Sequence, residues 1–191
     1  MPLIEIDRHG DITLELVKHG EGDKDEKVAI LVSSKILTLA SRVFAVMLGP
    51  NFLEGQRSPS GTLGPVTLPD DDADAMTLLC QILHFNYAAL PKKPQIELFK
   101  DLAVLCDKYD CVTPLNFVTE QWLLLWEKTT KKTEMETLLL ISYVFDRPER
   151  FSEMSMRIVR EFAGTLKHLG ILEGSDIIPQ TVLSKPIWSL V

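Results

Sequence analysis

The order of periodicities along the chain predicts an α+β fold, a small three-stranded sheet capped by a helical cluster and followed by further C-terminal helices. Two observations carry this. Strand-like runs at residues 11–17, 28–32 and 65–68 all fall in the first part of the chain, whereas from residue 73 onward the apolar residues recur at helical spacing. The stretch 28–55 also switches period part-way, from a short β-branched run to a helix, so that strand and helix must share one core.

Residues 11–17 alternate Ile12, Leu14 and Leu16 with Thr13, Glu15 and Val17, the pattern of a strand with one buried face. A polar segment at 18–27, with Gly20 and Gly22, leads to the apolar run 28–32, which makes a hairpin with a long loop. Ahead of it, residues 3–6 read as a short additional strand. Ser33 and Ser34 end the second strand and are good N-caps. From Lys35, Ile36, Leu39, Ala40, Val43, Phe44 and Met47 fall on one side of a helix, which Gly49-Pro50 terminates. Phe52-Leu53-Glu54-Gly55 then places two apolar side chains in a loop, and exposed apolar loop residues invite a partner.

Residues 55–64 are the most flexible by composition, and 65–68 form a brief strand. Of Asp70, Asp71 and Asp72, one is expected to cap the helix at 73–85 and the others to sit at its positive end, because no further acids at suitable spacing complete an oxygen cage. A proline-containing loop at 87–95 precedes an amphipathic helix at 96–109. After a break at 110–114, a helix at 115–126 carries Leu115, Val118, Trp122 and Leu125 in register. A polar spacer, helices at 134–145 and 149–169, and an irregular tail at 171–191 complete the chain.

Composition narrows the function classes. Of 191 residues, 46% are hydrophobic and 25% charged, the balance of a folded globular protein. With 20 Lys plus Arg against 27 Asp plus Glu the net charge is −7, and the basic residues come as isolated pairs, which argues against nucleic acid as a direct partner. The N-terminal segment has no apolar signal core, and the richest apolar stretch is broken by Lys35 and Arg42, so neither secretion nor a membrane is indicated. Three cysteines without a secretory signal suggest reduced thiols and an intracellular location, cytoplasmic or nuclear.

Catalytic chemistry is not indicated. His9, His19, His84 and His168 are dispersed, no Gly-rich phosphate loop occurs, and Cys106 and Cys111 lack a second pair for zinc, so Cys80, Cys106 and Cys111 read as buried apolar thiols. Glu5, Asp7, Asp11, Asp107 and Asp110 have the spacing of solvated acids. Neither an enzyme nor a cofactor nor a metal is expected.

Taken together, GDITLEL at 10–16, VAILVSSKILTLAS at 28–41, VFAVMLG at 43–49, NFLEG at 51–55, VTLPDDDADAMTLLCQILHF at 66–85, ELFKDLAVLCDKYDCV at 97–112 and a helix with Trp122 resemble the BTB (POZ) domain, especially its fungal form. The ordered blocks cover about two thirds of the chain. The resemblance implies a BTB/POZ-like domain over 1–126, a helical extension over 127–170 and the tail over 171–191. It further implies a non-catalytic protein–protein interaction module, commonly a homodimer or scaffold. Some members bind a cullin and serve as ubiquitin-ligase adaptors, using an apolar-x-acidic triplet after the helix that follows the second strand; Phe52, Leu53 and Glu54 occupy the matching place. Phe52 is either such a contact or a side chain that folds back to close the domain. The candidate self-association residues are Ile4, Ile6, Ile12 and Leu14.

Three departures stand out. Ser33-Ser34 replaces the His-basic pair of many animal members, Ser41-Arg42 replaces a Ser-Pro pair, and little chain precedes the first strand to supply the long exchanged N-terminal helix. At the other end, Ser189-Leu190-Val191 matches the carboxyl ends taken up by PDZ-type domains, against a tail whose Ile187, Trp188 and Leu190 pack on the protein itself.

Overall fold

The central hairpin is a seven-residue antiparallel ladder in which Ile12 pairs with Val32 and Lys18 with Glu26. Strand β2 (Ile12–Lys18) buries Ile12, Leu14 and Leu16 on one face, as its alternation requires, and β3 (Glu26–Val32) is buried at Val28, Ala29, Ile30 and Val32. The structure, a computed structural model, describes residues 1–18, 26–56, 63–162 and 177–179.

The sheet has four strands, not three. The additional strand read at 3–6 forms as β1 (Leu3–Glu5), pairing parallel with β3, and β4 (Val66–Asp72) pairs parallel with β2, giving the order β1-β3-β2-β4. Both outer strands run parallel to their neighbours while the central pair is antiparallel, so the sheet is mixed. Strand β4 runs four residues past its expected end at 68. Its ladder with β2 shifts register between Glu15 and Val17, next to Pro69, which has no amide to give a ladder. That irregularity breaks the alternation: Val66 and Leu68 face inward, and the next inward residue is Asp71 instead of Asp70.

The helix expected from Lys35 to Met47 is two helices, α1 (Ser34–Ala40) and α2 (Arg42–Met47), broken at Ser41, whose backbone is extended. A tight turn at Leu53–Gly55 precedes β4. Helix α3 (Ala73–Leu83) is capped by Asp72, whose carboxylate accepts from the Ala75 amide, and ends at Phe85, held at φ 60°. Then come α4 (Ile96–Lys108), α5 (Val112–Trp126), α6 (Lys132–Val144) and α7 (Pro148–Phe162). Helix α5 starts earlier than expected because Pro114 lies in its first turn, where no intrahelical donor is missed. Pro148 opens α7 for the same reason. The expected continuation of that helix to 169, the loop at 19–25, the segment 57–62 and most of the tail lie outside the described residues.

The chain forms two compact units, Met1–Pro91 with Lys108–Leu115, and Lys92–Asp107 with Asn116–Val191. The boundary expected at 126 does not coincide with this division. The helices expected as an extension therefore share a unit with most of α4 and α5. Within that unit α6 is buried on all sides, from Met135 through Ser142, and is its central helix. Phe99 stacks edge-on against Trp122 and lies 6.4 Å from Phe145. Arginines join α7 to α5: Arg147, just ahead of α7, and Arg150 pair with Glu120 of α5, and Arg157 donates to the carbonyls of Glu127 and Thr129, just past the end of α5. No described helix is long and apolar enough to cross a membrane.

Candidate apolar contact surface

Outside the core, the first unit carries a surface built from α1, α2 and the Leu53–Gly55 turn. Leu39, placed on the inner stripe by the sequence pattern, is 87% exposed, and Val43 and Val46 are exposed as well. Leu37 and Phe44 are the apolar residues these two helices bury. The buried positions are Ser34, Leu37, Ser41, Phe44 and Leu48, whose helical spacing runs through the break, so the inward face is not the expected stripe of 36, 39, 40, 43, 44 and 47 but one that leaves Leu39, Val43 and Val46 on the opposite side. The apolar side of α2 is thereby turned outward beside Phe52 and Leu53, which are 47% and 80% exposed.

Arg42, Val43, Val46, Met47, Phe52 and Glu54 line an open groove of about 570 Å³. Phe52 and Glu54 are thus brought together on one groove, while Leu53 stands away from it into solvent. The turn is held by backbone bonds from Phe52 N to Gly49 O and from Gly55 N to Phe52 O. Gly55 is required by proximity: a Cβ there would sit 1.9 Å from the Gly49 carbonyl oxygen.

What holds the inner side of α2 was not legible as a motif. The Ser41 hydroxyl accepts from the Phe44 amide, capping α2, and donates to the Tyr109 carbonyl. The rings of Phe44 and Tyr109 stack at 4.4 Å, 5° from parallel. The Tyr109 hydroxyl donates to Asp71, and Lys108 Nζ lies 2.6 Å from the other carboxylate oxygen. Asp71, expected to cap the helix or sit at its positive end, instead has a side chain only 2% exposed and anchors β4 to Tyr109. Burial, and next the hydrogen bond to Asp71, push the Tyr109 hydroxyl's pKa well above its ordinary value, so it stays a donor.

The start of α1 is held from elsewhere in the same way. Ser33 caps it in position but makes no side-chain cap bond. Asp11 accepts from the Ser34 amide and hydroxyl, both at 2.7 Å, so it is not the solvated acid expected. His84 Nε2 accepts from the Ser33 amide at 3.0 Å.

The four residues expected for self-association separate. Ile12 and Leu14 are fully buried in the unit's own core, and only Ile4 and Ile6, on and just after the edge strand β1, keep accessible surface. The strand alternation that marked them as apolar marks a core face equally well.

Cys80, Cys106 and Cys111 are buried, and burial pushes the Cys80 thiol up to about 12, unsuited to nucleophilic work. His84 bonds backbone groups and His9 accepts from Arg8; His19 and His168 lie outside the described residues. Among the described residues no group of three or more His, Cys, Asp or Glu is placed to hold a metal ion.

These features define an α+β chain with a small mixed sheet and an outward-facing apolar surface. No protein-family model matches it, and neither does any curated protein.

Proposed function

We propose that this chain is a non-catalytic, BTB-like protein-interaction module acting inside the cell, which self-associates or holds a protein partner through the surface of α1, α2 and the Phe52 turn. The observation that supports this reading is the orientation of α2. Its inner side is fixed by Ser41, Phe44 and Tyr109, while Val43 and Val46 are left outward beside Phe52 and Leu53. Water-exposed apolar side chains grouped around a groove are the usual mark of a contact surface. Light scattering coupled to size-exclusion chromatography tests self-association: a mass that rises with concentration and reverts in Val46→Ser/Leu53→Ser supports it. A monomer at every concentration removes the self-associating form and leaves the partner-holding one.

A second reading, an adaptor that docks a cullin for ubiquitination, is favoured by one observation: Phe52 and Glu54 border the same groove, as an apolar-x-acidic contact needs. Pull-down with a purified cullin N-terminal region, comparing wild type with Phe52→Ala and Glu54→Ala, tests it. Absence of binding by the wild type rejects it.

A further inference from the structure

The imidazole of His84 joins the end of α3 to the point where β3 becomes α1. Its Nδ1–H donates to the Cys80 carbonyl at 2.8 Å, within its own helix. That assignment leaves Nε2 without a proton, and this is the atom that receives the Ser33 amide across fifty residues of chain, at 3.0 Å. Both bonds can exist together only in the neutral ring. A second proton would turn Nε2 into a donor facing a donor. Ser33 N–H would then be stranded at a part-buried site, and an unmatched buried donor costs more than its bond contributed.

We propose that His84 is a proton-operated latch on the entry to α1: its bare Nε2 holds the Ser33 amide at neutral pH, and protonation releases the first turn of α1. In its regulatory meaning the inference rests on the interaction reading, because α1 carries Leu39 and leads into α2, so that acid would loosen one edge of the contact surface. The latch itself is a property of the fold and is testable without any partner.

Among the described residues, Asp7 is the charged group that acts on the ring. Asp7, between β1 and β2, acts on it through its field and favours the protonated form, while also accepting from the His9 amide. Asp11, at the start of β2, is bonded by Ser34, and Lys35 in the first turn of α1 is exposed. The last turn of α3 contains no basic residue. Burial outweighs Asp7 and the Cys80 bond and lowers the ring's pKa below the ordinary 6.5. The sign follows from that direction. With the folded value below the unfolded one, the latch contributes fully above about pH 6.5, and its contribution is lost as pH falls through the folded value. Asp7 then offers the imidazolium an opposite charge to turn toward.

The test is hydrogen exchange of the Ser33 and Ser34 amides by NMR from about pH 7.5 to about pH 5, corrected for intrinsic exchange, with the His84 ring titrated in the same samples. In the wild type, opening at Ser33 rises about fivefold, the scale of one hydrogen bond of ordinary net strength, with the same midpoint as the ring. In His84→Gln, whose amide oxygen can accept but cannot be protonated in this range, the rise is absent. In Asp7→Asn the midpoint moves to lower pH. A flat wild-type profile, a midpoint that differs from the ring's, or an unchanged rise in His84→Gln overturns the latch. Failure of the light-scattering or pull-down experiments leaves these exchange results untouched, so the latch and the interaction reading fail separately.

Discussion

Helices α2 and α3 belong to one unit and are both rich in apolar residues, yet they use them in opposite ways. Helix α3 buries eight of its eleven residues, while α2 buries Phe44 alone. The difference lies in how each is held. Helix α3 is fixed by apolar burial along most of its length, which leaves little of its apolar surface exposed. Helix α2, at six residues too short to persist by propensity, is fixed at one end and through one ring, by the Ser41 hydroxyl and the Phe44–Tyr109 stack. Anchoring a helix at a few points spares the rest of its apolar surface.

The sharpest way to break this contrast is to remove the anchor. Phe44→Ala, at a fully buried and stacked ring, is expected to cost about 3–5 kcal/mol in denaturant unfolding, as much as a large truncation on α3 despite the exposure of α2. Tyr109→Phe keeps the stack but withdraws the hydroxyl from buried Asp71; a loss of about 1–3 kcal/mol is expected, read from the shift in unfolding midpoint at constant slope. Gly55→Ala forces the turn away from Gly49 O. An expected cost of about 1–2 kcal/mol comes with displaced amide resonances at Phe52 and Glu54, and unchanged shifts there would show that the turn does not position the groove. Smallest of all, Val46→Ser with Leu53→Ser should change stability by no more than about 0.5 kcal/mol, because neither residue is buried. A multi-kcal loss in that pair would mean that α2 is a core helix after all.

The sequence carried the element order well, because period-2 and period-3.6 patterns arise directly from backbone geometry. Ile12, Leu14 and Leu16 were legible as a buried face for this reason, and a cap was legible among Asp70, Asp71 and Asp72 from their place before an apolar helical run, though which of the three, Asp72, was not. The exposure of Leu39 and Val43 was not legible. The segment is apolar around most of its circumference, so spacing alone did not choose between the expected stripe and the buried one, which runs through Leu37, Ser41 and Phe44 and includes two serines, Ser34 and Ser41. Asp71 was hidden by the register shift in β4, which sends it inward out of turn with Val66 and Leu68. Asp11 and His84 act on Ser34 and Ser33 across 23 and 51 positions, and such bonds leave no local trace. The groove was partly legible: Phe52 and Glu54 were marked by two apolar residues in a loop, but Arg42, Val43, Val46 and Met47 were not marked as their neighbours.

The parallel pairing of β4 with β2 also sets an order of events during folding. The β2–β3 hairpin closes over a short stretch of chain, whereas the Leu14–Val66 pairing must enclose β3, α1 and α2 within one long loop. Closing the longer loop costs more chain entropy and sets the slower step. Val66→Ala should therefore slow refolding more than it speeds unfolding in stopped-flow measurements, and the reverse partition would place the closure after the barrier. Both apolar helices ride inside that loop, and Asp71, the residue that reaches Tyr109, lies on the strand that closes it. The exposed apolar surface is thus assembled late, by the same docking that completes the sheet, and a chain still being made presents those helices before their anchor has arrived.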